Sequence, residues 1–117
     1  MLIVRPMKYP DDVNGEVFRT MEDSAFDFSV EHVVDFYAVF ATETDADQIA
    51  HMYLADHKTG DMLTNIETKP RDEGGMELIL SKRMMVTYEA VTEFERKLRE
   101  RVSRAEGYLD GWGVLQE

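Results

Sequence analysis

The stretch Val33 to Ala41, VVDFYAVFA, constrains the fold of this chain more than any other segment. It is dense in β-branched and aromatic residues, the side chains that fit a pleated surface, and it predicts a strand. Alternation places Val34, Phe36, Ala38 and Phe40 on one face and Val33, Tyr37 and Val39 on the other. A strand apolar on both faces belongs in the middle of a sheet that is largely covered. Asp35 interrupts the second face and needs either solvent or a polar partner.

Before that strand, Pro10-Asp11-Asp12 followed by Val13, Val17 and Met21 predicts a helix over about 11–23. Its acids suit the positive end of the helix dipole, while Gly15 costs it about 1 kcal/mol relative to Ala. Phe26 and Phe28 are expected to anchor the next connection to the core. Thr44, with Asp47 three residues on, is the predicted cap of a second helix. Ala46, Ile49, Ala50, Tyr53 and His57 fall on one face of it, and Gly60 supplies a left-handed stop. Met62–Lys69 and Met76–Met84 predict strands, joined into a hairpin by Pro70-Arg71-Asp72-Glu73-Gly74-Gly75. Tyr88, Val91, Phe94, Leu98, Val102 and Ala105 recur at steps of three and four, so a third helix follows, ending before Gly107. Glu93–Lys97 and Glu95–Arg99 are expected ion pairs on its surface. Asp110-Gly111 then leads into a short last strand, Trp112–Leu115.

One helix followed by βαββαβ describes an α+β fold, a ferredoxin-like split βαββαβ sandwich. A four-stranded antiparallel sheet carries two helices on one face, plus the additional N-terminal helix. The sequence leaves open whether that helix covers a sheet edge or part of the open face. With 117 residues the chain has one domain's worth of material. Residues 1–10 read as an N-terminal leader and 11–117 as the single domain.

Charge is unevenly spread. The net charge is -11, and residues 11–47 hold eleven acids against Arg19 alone. Such a surface speeds encounter with a basic partner and repels nucleic acid, so direct nucleic-acid binding is not expected. The cations Arg96, Lys97, Arg99, Arg101 and Arg104 are interleaved with Glu93, Glu95, Glu100 and Glu106, which reads as a salt-bridged solvent face. Met1–Val4 is too short an apolar run for a signal peptide, and nowhere do about 18 apolar residues run together. A soluble, cytoplasmic protein with no membrane partner is expected.

The chemistry of a catalytic site is hard to assemble from these residues. There is no cysteine, hence no disulfide or thiolate site. Ser24, Ser29, Ser81 and Ser103 sit in no nucleophile elbow, and Gly74-Gly75 lacks the Lys-Ser/Thr of a phosphate loop. His51 and His57, with Asp47, do not line up as zinc ligands on one face. No enzyme activity, cofactor or metal is expected.

Three pieces occur in an order that resembles one family: VDFYAVFATETDADQIA (Val34–Ala50), ELILSKRMMVTYEAVTEFERKL (Glu77–Leu98) and the closing GYLDGWG (Gly107–Gly113). Together they resemble the RraB family, regulators of ribonuclease activity, over roughly residues 30–115. The family's closing Tyr-x-Asp-Gly-Trp segment corresponds to Tyr108, Asp110, Gly111 and Trp112. Two departures stand out: MLIVRPMKYP has no counterpart in the pattern, and no acidic run follows Gly113. The resemblance implies a ferredoxin-like sandwich, in agreement with the element order. It also implies a non-catalytic protein that binds the basic, disordered scaffold region of ribonuclease E and lowers RNA cleavage.

On that reading Glu16, Glu22, Asp23 and Asp27 are the expected partner-binding charges, with Asp110 and Trp112 as further candidates. Trp112 has an alternative role in packing the last strand, and Asp110 in a turn. A different class of function is a self-associating small-ligand or sensory module, a homodimer through an open sheet face bearing Tyr37, Val39 and Ile79. Mimicry of nucleic acid shares the charge pattern with the first reading.

Overall fold

The central strand runs from Glu31 to Phe40 (β1) in a computed structural model that describes residues 9–58 and 63–114. Around it lie α1 (Val13–Asp23), α2 (Glu43–Lys58), β2 (Asn65–Pro70), β3 (Met76–Met85), α3 (Tyr88–Ser103) and β4 (Tyr108–Val114). The strands form one antiparallel sheet in the order β2-β3-β1-β4, so the α+β expectation of a helix followed by βαββαβ holds. The hairpin forms as expected, with Asn65 opposite Ser81 and Pro70 opposite Met76. Met62 and Gly60 lie outside the described residues.

Val34, Phe36, Ala38 and Phe40 are buried under the helices, together with Leu78 and Leu80 of β3. Ile49 of α2 and Val91, Leu98 and Val102 of α3 close over them. The Phe36 and Phe94 rings stack with centroids 4.1 Å apart. Each such side chain contributes about 1.5–3 kcal/mol on leaving water, which makes this face the main source of stability.

The leading helix extends the helical layer rather than covering the open face. Phe18 of α1 is fully buried, with its ring 5.6 Å from Trp112 and 6.1 Å from Tyr88. Trp112 pairs with Phe36 across the sheet and so faces the core. Thus α1 lies beside α3, above the edge strand β4.

On the opposite face Asp35 finds its partner, accepting from Ser81 Oγ at 2.6 Å and from Tyr37 OH at 3.4 Å. Burial, and then the charge of Asp35, push the Tyr37 phenol above its usual range. Although no described helix lies over Val39 and Ile79, they are only 4% and 9% exposed.

Several local expectations need correction. Of the residues whose spacing predicts α1, Val13 and Val17 are 78% and 36% exposed; Phe18 and half-buried Met21 make the contact with the core. The α2 cap is Thr42, whose Oγ1 accepts from Asp45 N at 3.2 Å, two residues ahead of the expected Thr44. At the end of α3 the left-handed residue is Glu106 (φ 56), with Gly107 N donating to Val102 O at 3.1 Å. Glu95 accepts from Asn14, and the surface pairs on α3 are Arg96 with Glu93 and Glu100, and Arg104 with Glu100. The last strand starts at Tyr108, earlier than expected, and the Asp110-Gly111 pair lies within it at a bulge. Tyr37 pairs with Gly111 and Ala38 with Leu109, leaving Asp110 as the extra residue. Gly111 supports that irregularity at φ +108, a region that side chains disfavour.

Candidate partner-binding surface

The first helix is fixed at both ends. Asp12 is extended (φ -142, ψ -179) and its side chain accepts from Gly15 N at 2.7 Å, which caps the first turn. Tyr88 OH also donates to Asp12. That bond first, and the Gly15 N–H second, hold the Asp12 carboxyl below its usual range, while Tyr88 is pushed up. Gly15 is there because the chain doubles back: a Cβ would stand 1.8 Å from the Pro10 carbonyl oxygen. Arg19 Nη1 donates to that same oxygen at 3.3 Å, and the Tyr9 ring lies 5.4 Å from Phe18. After the helix, Phe26 and Phe28 pack on the core as expected, with ring centroids 4.8 Å apart.

With Phe18 inward, the 3.6-residue period turns Val13, Glu16, Val17, Thr20 and Asp23 outward. All five are exposed. Glu22 lies on the flank, where Tyr9 OH donates to it at 3.1 Å. Asp27 follows in the turn and accepts from Ser29 Oγ at 2.5 Å and Ser29 N at 2.9 Å, bonds that hold its carboxyl low. Asp11 and Glu31 are exposed at the two ends of this region.

The structure therefore gathers Glu16, Glu22, Asp23 and Asp27 on α1 and its following turn. Asp110 is elsewhere: it borders a depression with Lys69, Arg71 and Glu77 by the β2–β3 turn. Trp112 is half-buried and directed inward, with Nε1 donating to Asn14 Oδ1 at 3.0 Å. Val13 and Val17 are exposed components of the α1 surface that the sequence reading did not single out. The signal was Phe18, the largest apolar side chain of the helix, which outweighs two valines in choosing the buried face.

The family model described as Regulator of ribonuclease activity B matches residues 11–114, the span from the start of α1 to the end of β4. The chain belongs to the RraB family. RraB family regulators are non-catalytic, and membership implies regulation of ribonuclease E activity. No curated protein matches the chain. Among the described residues no group of His, Cys, Asp or Glu is arranged to hold a metal, and His51 Nδ1 lies 2.7 Å from Asp47 O. The His57 side chain lies outside the described residues. No helix among the described residues is long and apolar enough to cross a membrane.

Proposed function

We propose that this RraB-family chain binds a basic segment of ribonuclease E through the outer face of α1 and the turn after it, and so modulates RNA decay. The observation that carries the reading is a contrast between the carboxylates of two helices. On α3, Glu93 and Glu100 are engaged by Arg96 and Arg104. On α1, neither Glu16 nor Asp23 forms an ion pair with a described residue, and Glu16 stands beside exposed Val13 and Val17. Free carboxylates next to small apolar side chains suit Arg and Lys, whose heads take the charge while their stems lie on the valines. Such charges govern encounter and partner choice more than raw affinity.

The test is calorimetric titration with the scaffold half of the same organism's ribonuclease E, at low and at physiological salt. Binding should be saturable and should weaken with salt. Glu16→Lys combined with Asp23→Lys should weaken it about tenfold and flatten the salt dependence, at about 0.5–1 kcal/mol per exposed charge. A doubly reversed variant that binds as tightly as the parent would remove α1 from the interface.

A further inference from the structure

In a chain of net charge -11, one cleft brings three cations to its lining against a single carboxylate. It opens between α2 and α3 and has a volume of about 310 Å³, the size of a small ligand pocket. Phe94, Lys97 and Arg101 lie along one face of α3, with Tyr53 and Asp56 of α2 opposite. Lys82 rises from the helix-covered face of β3, with Nζ 5.8 Å from the centre of the Phe94 ring. Three cations thus face one carboxylate.

Arg101 is held in two ways: Nη2 is 2.6 Å from Asp56 Oδ2, and the guanidinium lies 4.5 Å over the Tyr53 ring. Its Nη1 is buried and has no hydrogen-bond partner among the described residues. A buried donor on a charged group without an acceptor costs more than a neutral one. A protein that keeps such a group in place gains when an anion supplies the acceptor. Both aromatic faces already carry a cation, so ring stacking with a ligand base is not what this cleft offers.

We propose that the α2–α3 cleft is an oxyanion site that takes a small phosphate-bearing ligand, with Arg101 and Lys97 as its principal contacts. A planar guanidinium and flanking ammonium groups match a phosphate dianion in charge and in hydrogen-bond direction. The site is separate from the α1 surface and does not depend on the ribonuclease E reading.

The test uses the full chain, inorganic phosphate as the probe, and nuclear magnetic resonance at constant ionic strength set with chloride. Phosphate should give saturable shifts at Tyr53, Phe94, Lys97 and the Arg101 side chain. Acetate should bind more weakly, since it brings one charge instead of two. Arg101→Gln should abolish saturation. Because that change also breaks the bridge to Asp56, Lys97→Gln, at an exposed position, is the second variant and should weaken phosphate about fivefold. Shifts that stay linear, that chloride reproduces, or that Lys97→Gln leaves unchanged would overturn the site. Acetate binding as tightly as phosphate would overturn the assignment to phosphate.

Discussion

The indole N–H of Trp112 donates to Asn14 Oδ1 at 3.0 Å, and the Asn14 amide nitrogen donates to Glu95 Oε1 at 2.7 Å and Thr92 Oγ1 at 3.2 Å. One side chain on α1 therefore ties together the last strand and the last helix. Asn14→Ala should cost about 1–3 kcal/mol, because it leaves a part-buried indole donor without an acceptor. Trp112→Phe keeps a ring against Phe18 but has no donor. Denaturant unfolding of both single variants and the double should give a coupling of about 1 kcal/mol. Strict additivity would mean that the hydrogen bond contributes nothing.

Gly15 poses a conflict between propensity and space. Alanine is the better helix former by about 1 kcal/mol, but its Cβ would collide with the Pro10 carbonyl. The collision involves backbone on both sides, so relief requires moving the turn at Pro10 and with it the Tyr9 contact. Gly15→Ala should lower stability by about 1–3 kcal/mol net. A raised melting temperature would show that the turn yields freely.

Acid should loosen the start of α1. The Asp12 carboxyl is held below 3.8, mainly by the Tyr88 hydroxyl and then by Gly15 N–H. A carboxyl with a lower value folded than unfolded stabilises the fold above the unfolded value, and that contribution fades as pH falls through the folded one. Asp27 and Glu93 are shifted in the same direction, the first by Ser29 and the second by Arg96. Asp12→Asn should therefore be less stable than the parent at neutral pH. The two stability curves should converge as pH drops below 3.8. Curves that stay parallel would show that Asp12 does not contribute through its charge.

Two helices end on residues that pay for a left-handed conformation. Ala25 (φ 59) follows α1, where Phe26 N donates to Met21 O at 3.0 Å, and Glu106 (φ 56) follows α3. Glycine is the residue that tolerates this position. Glu106→Gly should stabilise the protein by about 1 kcal/mol, read as a higher denaturation midpoint. Destabilisation would reveal a contact of the Glu106 side chain that outweighs the backbone term.

The sheet was readable because its signals are local. A strand apolar on both faces must be internal, and turn residues between two strands must make a hairpin; β1 and the β2–β3 pair follow from that. The placement of α1 was not readable, because Val13, Val17 and Met21 fit a helical stripe as well as Phe18 and Met21 do. Only the long-range partners, Trp112 and Tyr88, choose between the stripes. The bulge at Asp110 was hidden for a related reason, since a bulge is a property of two strands and the sequence shows one at a time. In the candidate surface, the acids on α1 were visible as charge. That Glu16 and Asp23 form no ion pair with a described residue, while Glu93 and Glu100 do, depends on where the arginines of α3 point.

The bond from Asn14 to Trp112 spans 98 residues. A ribosome adding about 5–20 residues per second needs roughly 5–20 s to cover that distance. The helix made first therefore cannot complete its contacts, Phe18 on Trp112 among them, until the closing strand has been synthesised.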